Sequence, residues 1–165
     1  MRYVIVDLEA TCWENGNRPD RMKIIEIGAL LLESSSGPVS KEFASFVKPV
    51  ASQELSDFCM QLTFIRQEDI DQAENFWAVF PRFVDWIGES PFRLCSWGAY
   101  DLNQLRLDCL RHKLALPASF ENHINLKKEF SRLNDVKPMG MKGALAIMSS
   151  IRQQHNRSCD ALRAG

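Results

Sequence analysis

The chain has 165 residues, 45% of them hydrophobic, and sets 20 lysines and arginines against 21 aspartates and glutamates for a formal net charge of −1. A chain of this size can bury roughly 70% of its unfolded surface in one domain without a disulfide framework, and its balanced charge excludes a global attraction to polyanions. No apolar run approaches the ~20 residues needed to span a membrane. Cys12, Cys59, Cys95, Cys109 and Cys159 are odd in number and form no CxxC pair. That usage points to reduced thiols in an intracellular, cytoplasmic protein rather than to a zinc site.

In chain order, the first element is "RYVIVDLEATCW". Tyr3, Val4, Ile5 and Val6 are aromatic or β-branched without a polar break, the pattern of a central strand covered on both faces. Asp7 and Glu9 follow two apart, so a strand projects them from the same face at its C-terminal end. Carboxylates that close need a cation, a shared proton or separate hydrogen-bond donors. The turn-rich "ENGNRPDRM" reads as a loop, and "KIIEIGALLLE" and "SKEFASFVKP" as two further strands of a meander.

Two helices come next. "SQELSDFCMQL" spaces Leu55, Phe58, Cys59 and Leu62 helically, and "QAENFWAVFPRFVDWIG" puts Phe76, Trp77, Phe80, Phe83, Val84 and Ile87 on one broad face. Pro81 interrupts the hydrogen bonding of the second. "FRLCSW" predicts a fourth strand, and "YDLNQLRLDCLRHK" a helix with Leu102, Leu105, Cys109 and Leu110 inward. Ile124 and Leu126 predict a short strand before helices at "KKEFSRL" and "MKGALAIMSSI", with one more starting near Arg157. Strands, then helices, then strand–helix alternation describe a single α/β domain over residues 1–165 with a mixed sheet.

Asp101 stands just after the fourth strand. With Gln104 it fits an Asp-x-x-Gln helix cap; one carboxylate oxygen can cap while the other serves a site. His155 and Asp160 lie in "QQHNRSCDALRAG". At about 100° per residue their directions on one helix differ by roughly 140°, so a common site requires a loop between them. Taken alone, His155 also fits a surface residue and Asp160 a helix N-terminus.

"VDLEATCW", "CSWGAYD" and "HNRSCD" resemble, in order, the three exonuclease motifs of the DEDDh superfamily. "KIIEIGALLL", "LSDFCMQLT" and "INLKKEF" resemble its KapD-like and histone-mRNA 3′-end exonuclease branch. The resemblance implies a ribonuclease H-like fold and metal-dependent removal of nucleoside 5′-monophosphates from a 3′ end. It assigns Asp7, Glu9 and Asp160 to a pair of magnesium or manganese ions, with Asp101 acting through coordinated water. Hard, oxygen-rich sites of that kind supply the compensating cation.

Two ions about 3.5–4 Å apart stabilise attacking and leaving oxygens at phosphorus, and His155, with an ordinary pKa near 6.5, suits a general base. The resemblance further implies that Ala10 and Thr11 neighbour the terminal nucleotide. Trp13 fits either a base-stacking platform or a loop-packing residue. Phe64 stands where the family's "LTGI" has glycine, as a wedge or an obstruction to the cleft. Trp97 fits core or support.

The substrate expected is a single-stranded RNA 3′ end, with no membrane and no obligate protein partner. Two rivals remain: a DNA proofreading or repair exonuclease, and a non-catalytic nucleic-acid-binding module. A local basic face from Arg66, Arg93, Arg106, Arg111, Lys113, Lys127 and Lys128 would serve any of these, although the same residues fit solvated helix charges.

Overall fold

Alternation along the first strand decides where its carboxylates go. In the computed structural model, which describes residues 1–16, 20–50 and 54–150, β1 (Arg2–Ala10) buries Val4, Val6, Leu8 and Ala10. Its other face carries Tyr3, Ile5, Asp7 and Glu9, which are half-buried apart from the exposed Asp7. The expectation of a strand equally covered on both faces is therefore corrected to one core face and one partly open face. The chain divides into two compact units, Met1–Ile124 and Asn125–Gly165.

In the first unit β1 pairs antiparallel with β2 (Ile24–Leu32), which pairs antiparallel with β3 (Val39–Phe46). On its other side β1 runs parallel to β4 (Phe92–Ser96). With β5 (His123–Asn125) the order is β3-β2-β1-β4-β5, a mixed five-stranded sheet flanked by helices. Between β3 and β4 come α1 (Asp57–Thr63), α2 (Gln67–Asp71) and α3 (Phe76–Ile87). After β4 come α4 (Tyr100–His112) and a 3₁₀ turn, Ala118–Glu121.

The main core lies between one sheet face and α3 and α4. Phe76, Val79, Phe80, Phe83 and Ile87 of α3 meet Val4, Val6, Ile27 and Leu31 there, each large side chain contributing roughly 1.5–3 kcal/mol by leaving water. Asn75 caps α3 by accepting the Ala78 N–H, and Pro81 falls inside the helix on its exposed side. Trp77 is half out of the core, its indole N–H donating to the His112 carbonyl at 2.9 Å. A smaller cluster of Cys12, Ile25, Leu55, Cys59, Ile65 and Ile70 packs α1 and α2 beside the end of β1.

Helix α4 departs from its predicted face. Leu102, Leu105 and Cys109 are buried, but Leu110 is 77% exposed and the inward seam is completed by Asp101, Gln104 and Asp108. Asp108, 1% exposed, accepts from the Ile24 N–H at 3.2 Å, Gln104 at 2.8 Å and Arg111 at 2.8 Å. Gln104 and Arg111 also donate to the Met22 carbonyl. This polar seam fastens the start of β2 to the helix. Leu62 of α1 likewise points outward, where helical spacing had placed it inward.

Removing one member of a buried, hydrogen-bonded ion pair costs far more than removing a surface pair. Asp108→Ala is therefore expected to lower unfolding stability by about 3 kcal/mol, measured by urea denaturation. A loss under about 1 kcal/mol would show that the Ile24 N–H and Arg111 find replacement partners.

In the second unit α5 (Leu126–Asn134) is capped by Asn125, whose side chain accepts the Lys128 N–H at 3.0 Å. Residues 141–150 are also helical. The helix expected from Arg157 lies outside the described residues.

Candidate active site

The overlap of β1 with β4 runs only from Arg2 to Ile5. Beyond it the Leu8 N–H is taken by Asp101, whose Oδ1 accepts at 3.1 Å. The turn that makes this possible is "SWGAY": Gly98 has φ of +127°, a conformation that side chains disfavour, and its N–H closes on the Ser96 carbonyl at 3.0 Å. Helix α4 then begins with Ala99 as cap and Asp101 as its second residue. The Asp-x-x-Gln cap is thereby corrected. Gln104 turns to Met22 and Asp108, while the Asp101 carboxyl accepts the Leu8 N–H.

Asp7, Glu9 and Asp101 are thus brought into one electrostatic group. Burial, then repulsion by Asp7, Glu26 and Asp101, pushes the Glu9 carboxyl up to about 7. Burial also raises Asp101, with Asp7 adding to it. Asp7 opens to solvent on one side, yet the protein around it still holds its carboxyl above the ordinary range. Two neighbours went unread in the sequence. Glu26 of β2 lies directly opposite Glu9 in the antiparallel register and is itself raised by burial and by Asp7. The available signal was a lone carboxylate inside the apolar "IIEIG". Tyr100 is the other, its phenol pushed upward by burial and by Asp101 and Glu9.

The donor set suits a hard divalent ion. Its atoms are carboxylate oxygens, and the charged groups raising Glu9 are all anions, so a cation would relieve all of that repulsion. Among the described residues no group of three or more His, Cys, Asp or Glu could hold a metal by itself. Asp7 and Glu9 therefore require a further ligand. His155 and Asp160, the remaining motif residues, lie outside the described residues.

The expected nucleotide neighbours are mixed in their exposure. Ala10 is buried and its carbonyl receives the Cys59 thiol at 3.8 Å. Thr11 is buried, its hydroxyl oxygen accepting the Lys23 N–H at 3.0 Å and its own N–H donating to the Lys23 carbonyl at 2.9 Å. Trp13 is half-buried with the Arg21 guanidinium 5.6 Å from its ring centre, a cation–π contact on one face. Trp97 is half-buried. Phe64 caps α1 with φ of 60° and is 88% exposed.

Helix α1 is held to this strand end. Ser56 Oγ donates to the Cys12 carbonyl at 2.6 Å and accepts the Cys59 N–H at 3.1 Å. The Cys12 thiol, hydrogen-bonded to Cys59 and buried, is pushed up to about 12, and Cys12, Cys59, Cys95 and Cys109 are all free thiols. Burial and this high pKa make Cys12 a packing group rather than a nucleophile.

A family model described as exonuclease matches residues 4–163. Human ERI1 exoribonuclease 2 is 30% identical over 164 residues, covering 86% of this chain and 24% of that protein. Human 3′-5′ exoribonuclease 1 is 31% identical over 140 residues, covering 80% and 40%. The chain thus spans about a quarter of the length of the first curated relatives it matches. Among solved structures, the nuclease domain of 3′hExo, a DEDDh family member bound to rAMP, has a TM-score of 0.76 at 31% identity, covering 83% of this chain and 72% of that one. A 3′-exonuclease solved for 3′-end-specific recognition of the histone mRNA stem-loop has the same TM-score at 30% identity, covering 83% and 50%. A match over almost the entire sequence, joined to a shared ribonuclease H-like fold, makes this chain a member of the exonuclease family, in its DEDDh branch.

Proposed function

We propose that the chain is a metal-dependent 3′→5′ exonuclease that releases nucleoside 5′-monophosphates from single-stranded RNA. The observation that carries this reading is the gathering of Asp7, Glu9 and Asp101 at one strand end, with Glu9 raised to about 7 by like charge and burial. The exoribonuclease relatives favour RNA over DNA. Asp7, Glu9 and Asp160 are the residues proposed to hold two Mg²⁺ or Mn²⁺ ions. When bound, such ions stabilise the charge that develops on the attacking and leaving oxygens. Asp101, fixed by Leu8 N–H, orients water at the same centre, and His155 removes a proton from the attacking water. Ala10 and Thr11 border the terminal nucleotide through backbone already locked against Cys59 and Lys23.

The deciding experiment uses 3′-labelled RNA and matched DNA, each with magnesium, manganese or chelator. Sequential release of 5′-monophosphates, stopped by a blocked 3′ end, is expected. Circular RNA cut as fast as linear RNA would establish an endonuclease; preference for DNA would favour the repair-type rival; binding without cleavage would leave a regulatory module. His155→Ala should bind normally yet cleave on the order of 10²–10⁴ times more slowly.

Phe64 is proposed to contact a base. An aromatic side chain in water, on backbone at φ 60° and ψ 14°, costs about 1–2 kcal/mol relative to glycine. Its flanks do not relax: Thr63 Oγ1 donates to the Cys59 carbonyl and accepts the Ile65 N–H, and Ile65 is buried. Phe64→Gly is accordingly expected to gain up to ~1 kcal/mol of unfolding stability. The same change should weaken RNA binding roughly tenfold by loss of stacking. Paired denaturation and equilibrium-binding measurements check both signs; unchanged RNA affinity in a stabilised variant would remove Phe64 from the site.

A further inference from the structure

We propose that a cavity on the core side of the sheet binds a nucleotide, with one base-sized ring inside and the phosphate at the rim. The cavity, about 210 Å³, lies where the start of β2 and the segment after β3 meet the first residues of α3 and the last residues of α4. Its wall is apolar and aromatic. Ile24, Val47 and Phe76 belong to the main core, and Trp77 stands half out of it. The Trp77 ring is fixed twice by His112: its indole N–H donates to the His112 carbonyl at 2.9 Å, and the imidazole meets it at 78° with centres 4.5 Å apart. That imidazole in turn stacks on Phe76, centres 5.1 Å apart. A tryptophan held this way yet 46% exposed is a rigid stacking surface, ordered before a ligand binds.

The charge around the cavity selects an anion. Lys23, Lys48 and Arg111 line it against one carboxylate, Asp108, which turns inward to the Ile24 N–H, Gln104 and Arg111. Burial and the Arg111 guanidinium hold the Lys23 ammonium below its ordinary pKa, outweighing Asp108 and Asp20, so the positive charge there is in local excess. Each lysine gives one donor to a backbone carbonyl, Lys23 to that of Arg21 at 3.2 Å and Lys48 to that of Asp71 at 2.9 Å. An ammonium has three, so N–H groups remain for a ligand. The volume is under the ~300 Å³ at which pockets enclose a whole drug-sized ligand, so a single flat ring enters and its charged group stays with the lysines. A flat ring joined to an anion is the chemistry of a nucleotide; preferring it to other flat organic anions rests on the exonuclease reading. Lys23 pairs through its backbone with Thr11, two residues past Glu9, while Asp7 and Glu9 project from the opposite face of β1 to the core. The cavity is thus a neighbour of the carboxylate site and separate from it.

A free 5′-monophosphate and one nucleotide of an RNA strand present the same chemistry, and the test separates them. The probes are uridine 5′-monophosphate and a short uridine RNA closed by a 3′ phosphate, each titrated in chelator into the intact chain labelled with ¹⁵N-tryptophan. The Trp77 indole resonance is assigned by its loss in Trp77→Phe. At least one probe should move that resonance saturably, and whichever does identifies the source. Uridine alone and inorganic phosphate alone should each bind at least about tenfold more weakly, and Lys48→Glu should weaken the effective probe by at least about tenfold, the scale of one hydrogen bond between charged groups. Lys23→Gln, a second variant, should act in the same direction at unchanged melting temperature, and Asp7→Asn should leave the Trp77 shift in place. A Trp77 resonance that moves with neither probe, a shift confined to Trp13 or Trp97, uridine binding as tightly as its phosphate, or a shift that survives both lysine variants would overturn the site. Protein that cuts RNA while Trp77 stays silent overturns this inference alone; protein that binds at Trp77 but cuts no RNA removes the exonuclease reading and leaves the site standing.

Discussion

Asp7→Asn is expected to remove turnover while making the metal-free protein more stable. The two effects have one cause. Asp7 adds negative charge to a strand end where it raises the pKa values of Glu9, Glu26 and Asp101, and where Glu26 and Asp101 raise Glu9 further. Asparagine fits the same space without the charge, so Glu9 ionises more easily and the folded state loses part of its self-repulsion. A gain of about 2–4 °C in melting temperature corresponds to a change of about 1 kcal/mol in a domain of this size. Turnover should fall at least about 10²-fold, the scale on which one electrostatic group at a reacting centre matters. Circular dichroism melts in chelator and single-turnover cleavage with magnesium are the paired measurements. An inactive variant that is also less stable would make Asp7 a structural carboxylate, contrary to its open position at the end of β1.

The second large effect is the pH dependence of stability without metal. In the folded protein burial and the neighbouring carboxylates push the Glu9 carboxyl up to about 7 from an ordinary value of 4.5. Between those values the folded state holds a proton that the unfolded state releases, so unfolding stability falls as pH rises. The contribution is fully present below about 4.5 and lost through about 7. A shift of that size has a ceiling of about 3 kcal/mol; partial solvent access at Glu9 reduces it to the order of 1–2 kcal/mol. Asp7, Asp101 and Glu26 shift in the same direction and reinforce the slope.

Magnesium should therefore raise the melting temperature strongly at pH 8 and weakly at pH 5.5, because protons compete for the ligand carboxylates. Thermal melts at both pH values, with magnesium and with chelator, decide the matter. Chelated protein that became more stable with rising pH through this window would contradict the proposed charge arrangement.

The placement of Asp7 and Glu9 on one face was legible because strand periodicity is local. Glu26 was not, since its approach to Glu9 depends on the β1–β2 register, which no short window contains. Asp101 could be singled out by its position after β4, but not its bond to Leu8, 93 residues earlier in sequence. On α4 the apolar spacing favoured Leu110 over Asp108. The structure reverses them because Asp108 finds Ile24, Gln104 and Arg111, partners brought together only by packing. The order of strands and helices was readable throughout the first unit, apart from the five-residue α2 and the 3₁₀ turn Ala118–Glu121.

The tether between α1 and the end of β1 bears on motion. Ser56 holds the Cys12 carbonyl, Cys59 holds that of Ala10, and the apolar cluster of Cys12, Cys59, Ile65 and Ile70 closes behind them. Phe64 stands at the end of this helix, and Glu9 one residue before the strand end to which it is tied. Local opening that displaced α1 would have to break the tethers and expose the cluster together, so this wall belongs to the slow, cooperative class of fluctuations rather than to rapid loop motion. The carboxylates and the exposed aromatic thus share a frame, and the spacing between them is a property of the folded chain before any strand arrives.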